Sequence, residues 1–182
     1  CALPISGATV SISGTGLTVG SPTFVNSTTL TVPVAVSSTA TPGARSVTVT
    51  NPDGGSASAN AFTVTAAPTA VSLSPSVRGQ GAVQATVTIT GTGFTASSAV
   101  SISGDGLTVG STTFVNATTL TVPVAVDAAA TVGARSVTVL NGDGGTSTTA
   151  GVFTVVAAPA ATSASPSSRG QGAVQKIGRA HV

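Results

Sequence analysis

VQATVTIT, residues 83–90, is the stretch whose reading decides the fold. Val83, Ala85, Val87 and Ile89 alternate with Gln84, Thr86, Thr88 and Thr90. Side chains of a strand point to opposite faces in turn, so this pattern predicts a strand with one buried face and one wet face. The alternation returns where Leu120, Val122 and Val124 interleave with Thr121, Pro123 and Ala125. It returns again where Val137 and Val139 interleave with Ser136 and Thr138. No segment sustains apolar residues at helical spacing. The prevalence of Thr and Val agrees, since side chains branched at Cβ are stiff about χ1 and fit a pleated surface.

Turn residues punctuate these runs at Ser74-Pro75, Gly91-Thr92-Gly93, Gly104-Asp105-Gly106 and Asn141-Gly142-Asp143-Gly144-Gly145. Asp-Gly and Asn-Gly pairs supply the positive φ that tight hairpins need. About seven short strands in about 90 residues predict an all-β sandwich of two sheets. Pro33 and Pro123 fall inside strand-like runs, which predicts strands that are at an edge or bulged there.

The chain also repeats itself. SISGTGLTVG at 11–20 returns as SISGDGLTVG at 101–110, TFVNSTTLTVPVAV at 23–36 as TFVNATTLTVPVAV at 113–126, and GARSVTV at 43–49 at 133–139. These pairs share an offset of 90, which becomes 91 at FTV (62–64 and 153–155) and at SPSVRGQGAVQ and SPSSRGQGAVQ (74–84 and 165–175). A unit of about 90 residues is too long for a solenoid repeat and suits one independently folding domain. The sequence therefore divides into a partial unit at 1–66 lacking its first two strands, a complete unit at 69–157, and the start of a third at 158–175. The joints are AAP at 66–68 and 157–159, short and φ-restricted by proline, so the array is expected to be semi-rigid.

Read in order, SLSPSVRGQG (72–81), VTITGTGF (87–94), TTLTVPV (118–124), GARSVTVLNGDGG (133–145) and FTV (153–155) resemble the IPT/TIG domain family. The resemblance implies tandem immunoglobulin-like β-sandwich domains without the disulfide of antibody domains. It also implies a role like that of bacterial stalk and ligand-presenting modules on secreted or surface-attached proteins. Family members also occur in animal cell-surface receptors and transcription factors. The only cysteine is Cys1, so no intrachain disulfide can form.

Charge is sparse, at 5% of residues with a formal net charge of +2. Lys176, Arg179 and the single histidine, His181, all fall in the closing KIGRAHV, which breaks the repeat just after Gln175. IGRAHV is also what a common sequencing-adapter sequence encodes in one frame, so 176–182 are set aside as an adapter-derived tail. The remaining body pairs Arg45, Arg78, Arg135 and Arg169 with Asp53, Asp105, Asp127 and Asp143, and so is neutral. A neutral body has no footprint for phosphate neutralisation, which argues against a nucleic-acid partner. No apolar run is long enough for a transmembrane helix, so direct membrane insertion is not expected.

Chemistry has little to work with. Outside Cys1 and the tail there is no Cys, His, Lys, Glu, Tyr or Trp, so serines have no base beside them. No catalytic residue, cofactor-binding residue, metal ligand or cofactor is assigned, and the chain is not expected to be an enzyme. Only Asp53 and Asp143 recur at equivalent positions, too few carboxylates for calcium and well suited to Gly-rich turns. Phe24, Phe62, Phe94, Phe114 and Phe153 are read as core anchors rather than a sugar-stacking platform. Val87, Ile89, Val122, Val137, Phe114 and Phe153 are expected to pack the core, with Gly93, Gly106 and Gly145 setting backbone geometry. Asn26-Ser27-Thr28 and Asn116-Ala117-Thr118 are glycosylation sequons that also suit a turn before a strand.

The expected function is a structural and interaction module of an extracellular or cell-surface repeat protein, a spacer or adhesin-like stalk. Its expected partners are neighbouring repeat domains and a cell-surface protein or glycan. The alternative is a carbohydrate-binding accessory module beside a catalytic domain.

Overall fold

The computed structural model describes residues 3–161, 167–168 and 170–172. Cys1, Arg169, the tail 176–182 and half of the opening of a third unit lie outside the described residues. The chain divides into two compact units, Cys1–Ala67 and Pro68–Val182. Every regular element among the described residues is a strand, so the protein is all-β.

Unit 1 contains β1 (Thr9–Ile12), β2 (Leu17–Val19), β3 (Thr23–Asn26), β4 (Thr29–Thr31), β5 (Val34–Val36), β6 (Gly43–Thr50) and β7 (Ser56–Val64). Unit 2 contains β8 (Thr69–Ser74), β9 (Val77–Gly79), β10 (Ala85–Thr92), β11 (Ala99–Ile102), β12 (Leu107–Val109), β13 (Thr113–Asn116), β14 (Thr119–Val126), β15 (Gly133–Leu140) and β16 (Thr146–Val156).

Two sheets build unit 2. One runs β12-β14-β10-β8, with β13 also on β14; the other runs β11-β15-β16-β9. All pairings are antiparallel except β9 on β16, which is parallel. The predicted alternation appears directly in β14, where Leu120, Val122, Val124 and Val126 are buried and each intervening residue is only half-buried. Val87, Ile89, Val122, Val137, Val139, Phe153 and Val155 are fully buried and form one core with Ala70, Leu73 and Phe94. Burying each large aliphatic or aromatic side chain contributes roughly 1.5–3 kcal/mol, so this cluster dominates the cohesion of the sandwich.

Several expectations shift. β10 starts at Ala85, and Val83 is 82% exposed, because the alternating run begins before the strand does. Three strands, not two, precede β11, since β9 lies between β8 and β10 as a short parallel strand on β16. Pro123 does not mark an edge or a bulge: β14 is paired on both sides and its register with β10 runs unbroken from Ala85↔Val124 to Thr90↔Thr119. A strand residue directs its N and its C=O to the same side. The Pro123 carbonyl accepts from the Gly110 N–H at 2.8 Å, so the missing proline N–H faces the corner where β12 hands over to β13. The position of positive φ in the NGDGG turn is Gly144, at 88°, rather than Gly145.

Unit 1 repeats these registers with fewer strands. β1 pairs β6 through Val10↔Val49 and Ile12↔Val47, as β11 pairs β15 through Val100↔Val139 and Ile102↔Val137. The other sheet is broken into two separate pairs, β2-β5 and β3-β4. The single strand β14 of unit 2 corresponds to β4 and β5, which are interrupted at Val32-Pro33. β10 is therefore the strand that welds that sheet together.

Candidate functional site

Three features combine chemistry with an exposed position or a fixed geometry. The first is the hairpin of β13 and β14. β13 pairs only with β14, with a register shift between Phe114 and Asn116, and all four of its residues are exposed. Phe114 is 38% exposed and Val115 54%; in unit 1 Phe24 is 42% exposed and Val25 55%. The reading of all five phenylalanines as core anchors is thus corrected: Phe94 and Phe153 are buried, Phe62 is half-buried, and Phe24 and Phe114 lie exposed on edge strands. The hairpin tip is an Asx turn. Asn116 Oδ1 accepts from the Thr118 N–H at 2.9 Å and from Thr118 Oγ1 at 2.8 Å. Asn26 makes the same two bonds with Thr28 at 2.9 and 2.8 Å. Each unit therefore presents an aromatic ring, an apolar neighbour and an amide at one edge.

The second feature is polar pinning of loops. Asn141 is buried; its Nδ2 donates to the Gly93 carbonyl at 2.8 Å and its Oδ1 accepts from Ser98 Oγ at 2.5 Å. Its backbone N–H and C=O close the NGDGG turn with Gly145 and Gly144 at 2.8 and 3.0 Å. Asn51 does the same work in unit 1, donating to the Leu3 carbonyl at 2.9 Å and accepting from the Ile5 N–H at 3.2 Å. Asp143 and Asp53 accept from the N–H of Gly145 and Gly55 at 3.0 and 2.9 Å, which places these carboxylates in turn geometry. Arg135 and Arg45 lie over Gly104 and Gly14 and donate Nη2 to the carbonyls of Thr131 and Thr41, leaving each Nε buried without a partner. Arg78 donates to the Val83 carbonyl. These three arginines are turn and loop contacts, as isolated cations among small residues can be. No cluster of three or more His, Cys, Asp or Glu forms among the described residues.

The third feature is a cleft of about 420 Å³ in unit 1, lined by Leu3, Pro4, Val10, Leu30, Val32, Val47 and neighbours. Leu30, Val32, Val47 and Val49 are only half-buried, whereas their counterparts Leu120, Val122, Val137 and Val139 are fully buried. The exposed phenylalanine edge was not legible in the sequence.

Two facing antiparallel-rich sheets around an aliphatic core, without a disulfide, define the immunoglobulin-like class of sandwich. Residues 68–155 match the family model of the IPT/TIG domain, and unit 2 belongs to that family. Among solved structures, the chain is similar to the Bacteroides ovatus mixed-linkage glucan utilization locus SGBP-B in complex with a mixed-linkage heptasaccharide. That similarity has 17% identity and a TM-score of 0.34, and covers 85% of this chain and 44% of the other. This chain thus spans less than half the length of that protein. No curated protein matches the chain.

Proposed function

We propose that the chain is a non-catalytic structural and interaction module, a run of tandem IPT/TIG-type domains in a secreted or cell-surface protein, acting as a spacer or adhesin-like stalk. The supporting observation is what recurs between the two units. Asn51 and Asn141, Arg45 and Arg135, and the Asx turns at Asn26 and Asn116 make matching bonds at matching positions. Those bonds hold loops and turns in place, so the recurring chemistry is that of a scaffold. Neighbouring repeats of the same protein are its first partners, and a cell-surface protein or glycan would be met at the domain edges.

A second reading is favoured by the exposed rings of Phe24 and Phe114. An aromatic face beside amide and hydroxyl groups suits stacking against a sugar ring, as in a carbohydrate-binding accessory module attached to a catalytic domain. Pull-down of the full chain on a panel of insoluble and gel-immobilised polysaccharides separates the two. The spacer reading predicts no retention that depends on Phe24 and Phe114. Retention that survives salt and disappears in the Phe24→Ala, Phe114→Ala double variant would replace it with the glycan reading.

A further inference from the structure

In unit 2 the segment by which the chain enters and the strand by which it leaves are bonded to each other. β16 is the last strand, and β9, next after the first, pairs with it in parallel register, Thr154 with Val77, Val155 with Arg78 and Val156 with Gly79. The bonding runs past both ends of that short ladder. Thr149 Oγ1 donates to the Ala70 carbonyl at 2.8 Å, and the Thr154 N–H donates to the Ser76 carbonyl at 2.8 Å. The Gln80 N–H donates to the Val156 carbonyl at 2.9 Å. The Gln80 side chain then spans the exit: Nε2 donates to the Ala130 carbonyl at 2.7 Å, and Oε1 accepts from the Ala158 N–H at 3.3 Å. Ala70 meets Thr149 and Gly79 meets Val156, so both segments advance in one direction. Thr69 and Val156 therefore lie toward opposite ends of the pair.

That direction decides how tension acts. Tension along the chain draws β8 and β9 back toward Thr69 and draws β16 forward past Val156. The two segments are pulled past each other, so their hydrogen bonds are loaded side by side and must fail together. An antiparallel pair pulled open at one end, as β15 and β16 would be from Gly133 and Val155, loses its bonds one at a time. Lifetime under force follows the unfolding rate, and bonds that must break together slow that rate more than bonds that break in turn. We propose that residues 76–80 and 154–158 form a tension-bearing clamp, by which unit 2 resists being pulled apart along the chain. The inference deepens the stalk reading and rests on it only for the source of the load. SPSVRGQG at 74–81, which carries Ser76, Arg78 and Gln80, returns as SPSSRGQG at 165–172, so the sequence of the clamp belongs to the repeat.

Force spectroscopy on single full-length chains tests the clamp. Pulled through its two ends, the chain should release unit 2 as a step of about 300 Å, longer than unit 1 can give. A second attachment, through Val132→Cys and Pro159→Cys in a Cys1→Ser background, peels β15 from β16 instead. At equal force the second geometry should open about tenfold faster or more. The Arg78 backbone faces β16 between Ser76 and Gln80, so Arg78→Pro removes a donor from the clamp while Arg78→Ala keeps it. Pulled through its ends, the Arg78→Pro chain should unfold about tenfold faster than Arg78→Ala, with no difference between them in the peeling geometry. A general loss of stability would speed both geometries alike. Equal lifetimes in the two geometries, or a proline effect that is absent or common to both, would overturn the clamp. If Arg78→Pro does not fold, the comparison of geometries decides alone. Each of these outcomes is independent of the stalk reading, which the polysaccharide pull-down tests by itself.

Discussion

A carboxamide buried at Asn141 must find partners for its oxygen and its nitrogen, because a buried polar group left unmet costs about 1–3 kcal/mol. Asn141→Ala strands both the Gly93 carbonyl and Ser98 Oγ. It should destabilise unit 2 by about 3 kcal/mol in urea unfolding of the full chain, with little change in the m-value. Gly104 has a φ of 92°, and a Cβ there would collide with the Arg135 guanidinium, so Gly104→Ala should cost about 2 kcal/mol by the same measurement. The sequence placed Asn141 in a turn but not in the core, since its partner Gly93 is 48 residues away. It placed Phe114 in the core because an aromatic in a β-rich chain usually packs. Whether a strand sits at a sheet edge depends on pairing partners distant in sequence. Composition does not carry that information.

At the scale of elements, β10 and β14 decide whether the sandwich closes. Val87, on β10, is fully buried in the core between the two sheets, so Val87→Asp should abolish the cooperative transition of unit 2, because an unpaired buried charge removes several of the roughly 5–15 kcal/mol a domain has. Loss of the near-ultraviolet phenylalanine signal would register this. The corner between β12 and β13 provides a subtler test. A Cβ on Gly110 would lie 2.6 Å from Cγ of Pro123, so Gly110→Ala should destabilise the unit. Pro123→Ala in that background should recover about 1 kcal/mol, a coupling that a double-mutant cycle measures. Strand identity was legible here through the period of two. The role of Pro123 was not, because a proline inside a strand is tolerated wherever its missing N–H meets a gap, and the gap is formed by Gly110-Ser111-Thr112 on another segment.

At the scale of the molecule, two units of shared sequence differ in how completely they cover the same residues. Unit 2 encloses Leu120, Val122, Val137 and Val139; unit 1 leaves Leu30, Val32, Val47 and Val49 half-buried beside an open cleft. Apolar burial is the main source of cohesion, so stability should be unequal between units despite near-identical strands. The repeat offset showed which strands unit 1 shares with unit 2. Native-state amide hydrogen exchange on the full chain tests the claim most directly, by comparing residues 29–36 with 119–126. The account predicts that 119–126 exchange only through cooperative unfolding of unit 2, while 29–36 exchange about a hundredfold faster or more. Equal protection of the two segments would contradict it, and would mean that unit 1 closes its core without a strand in the place of β10.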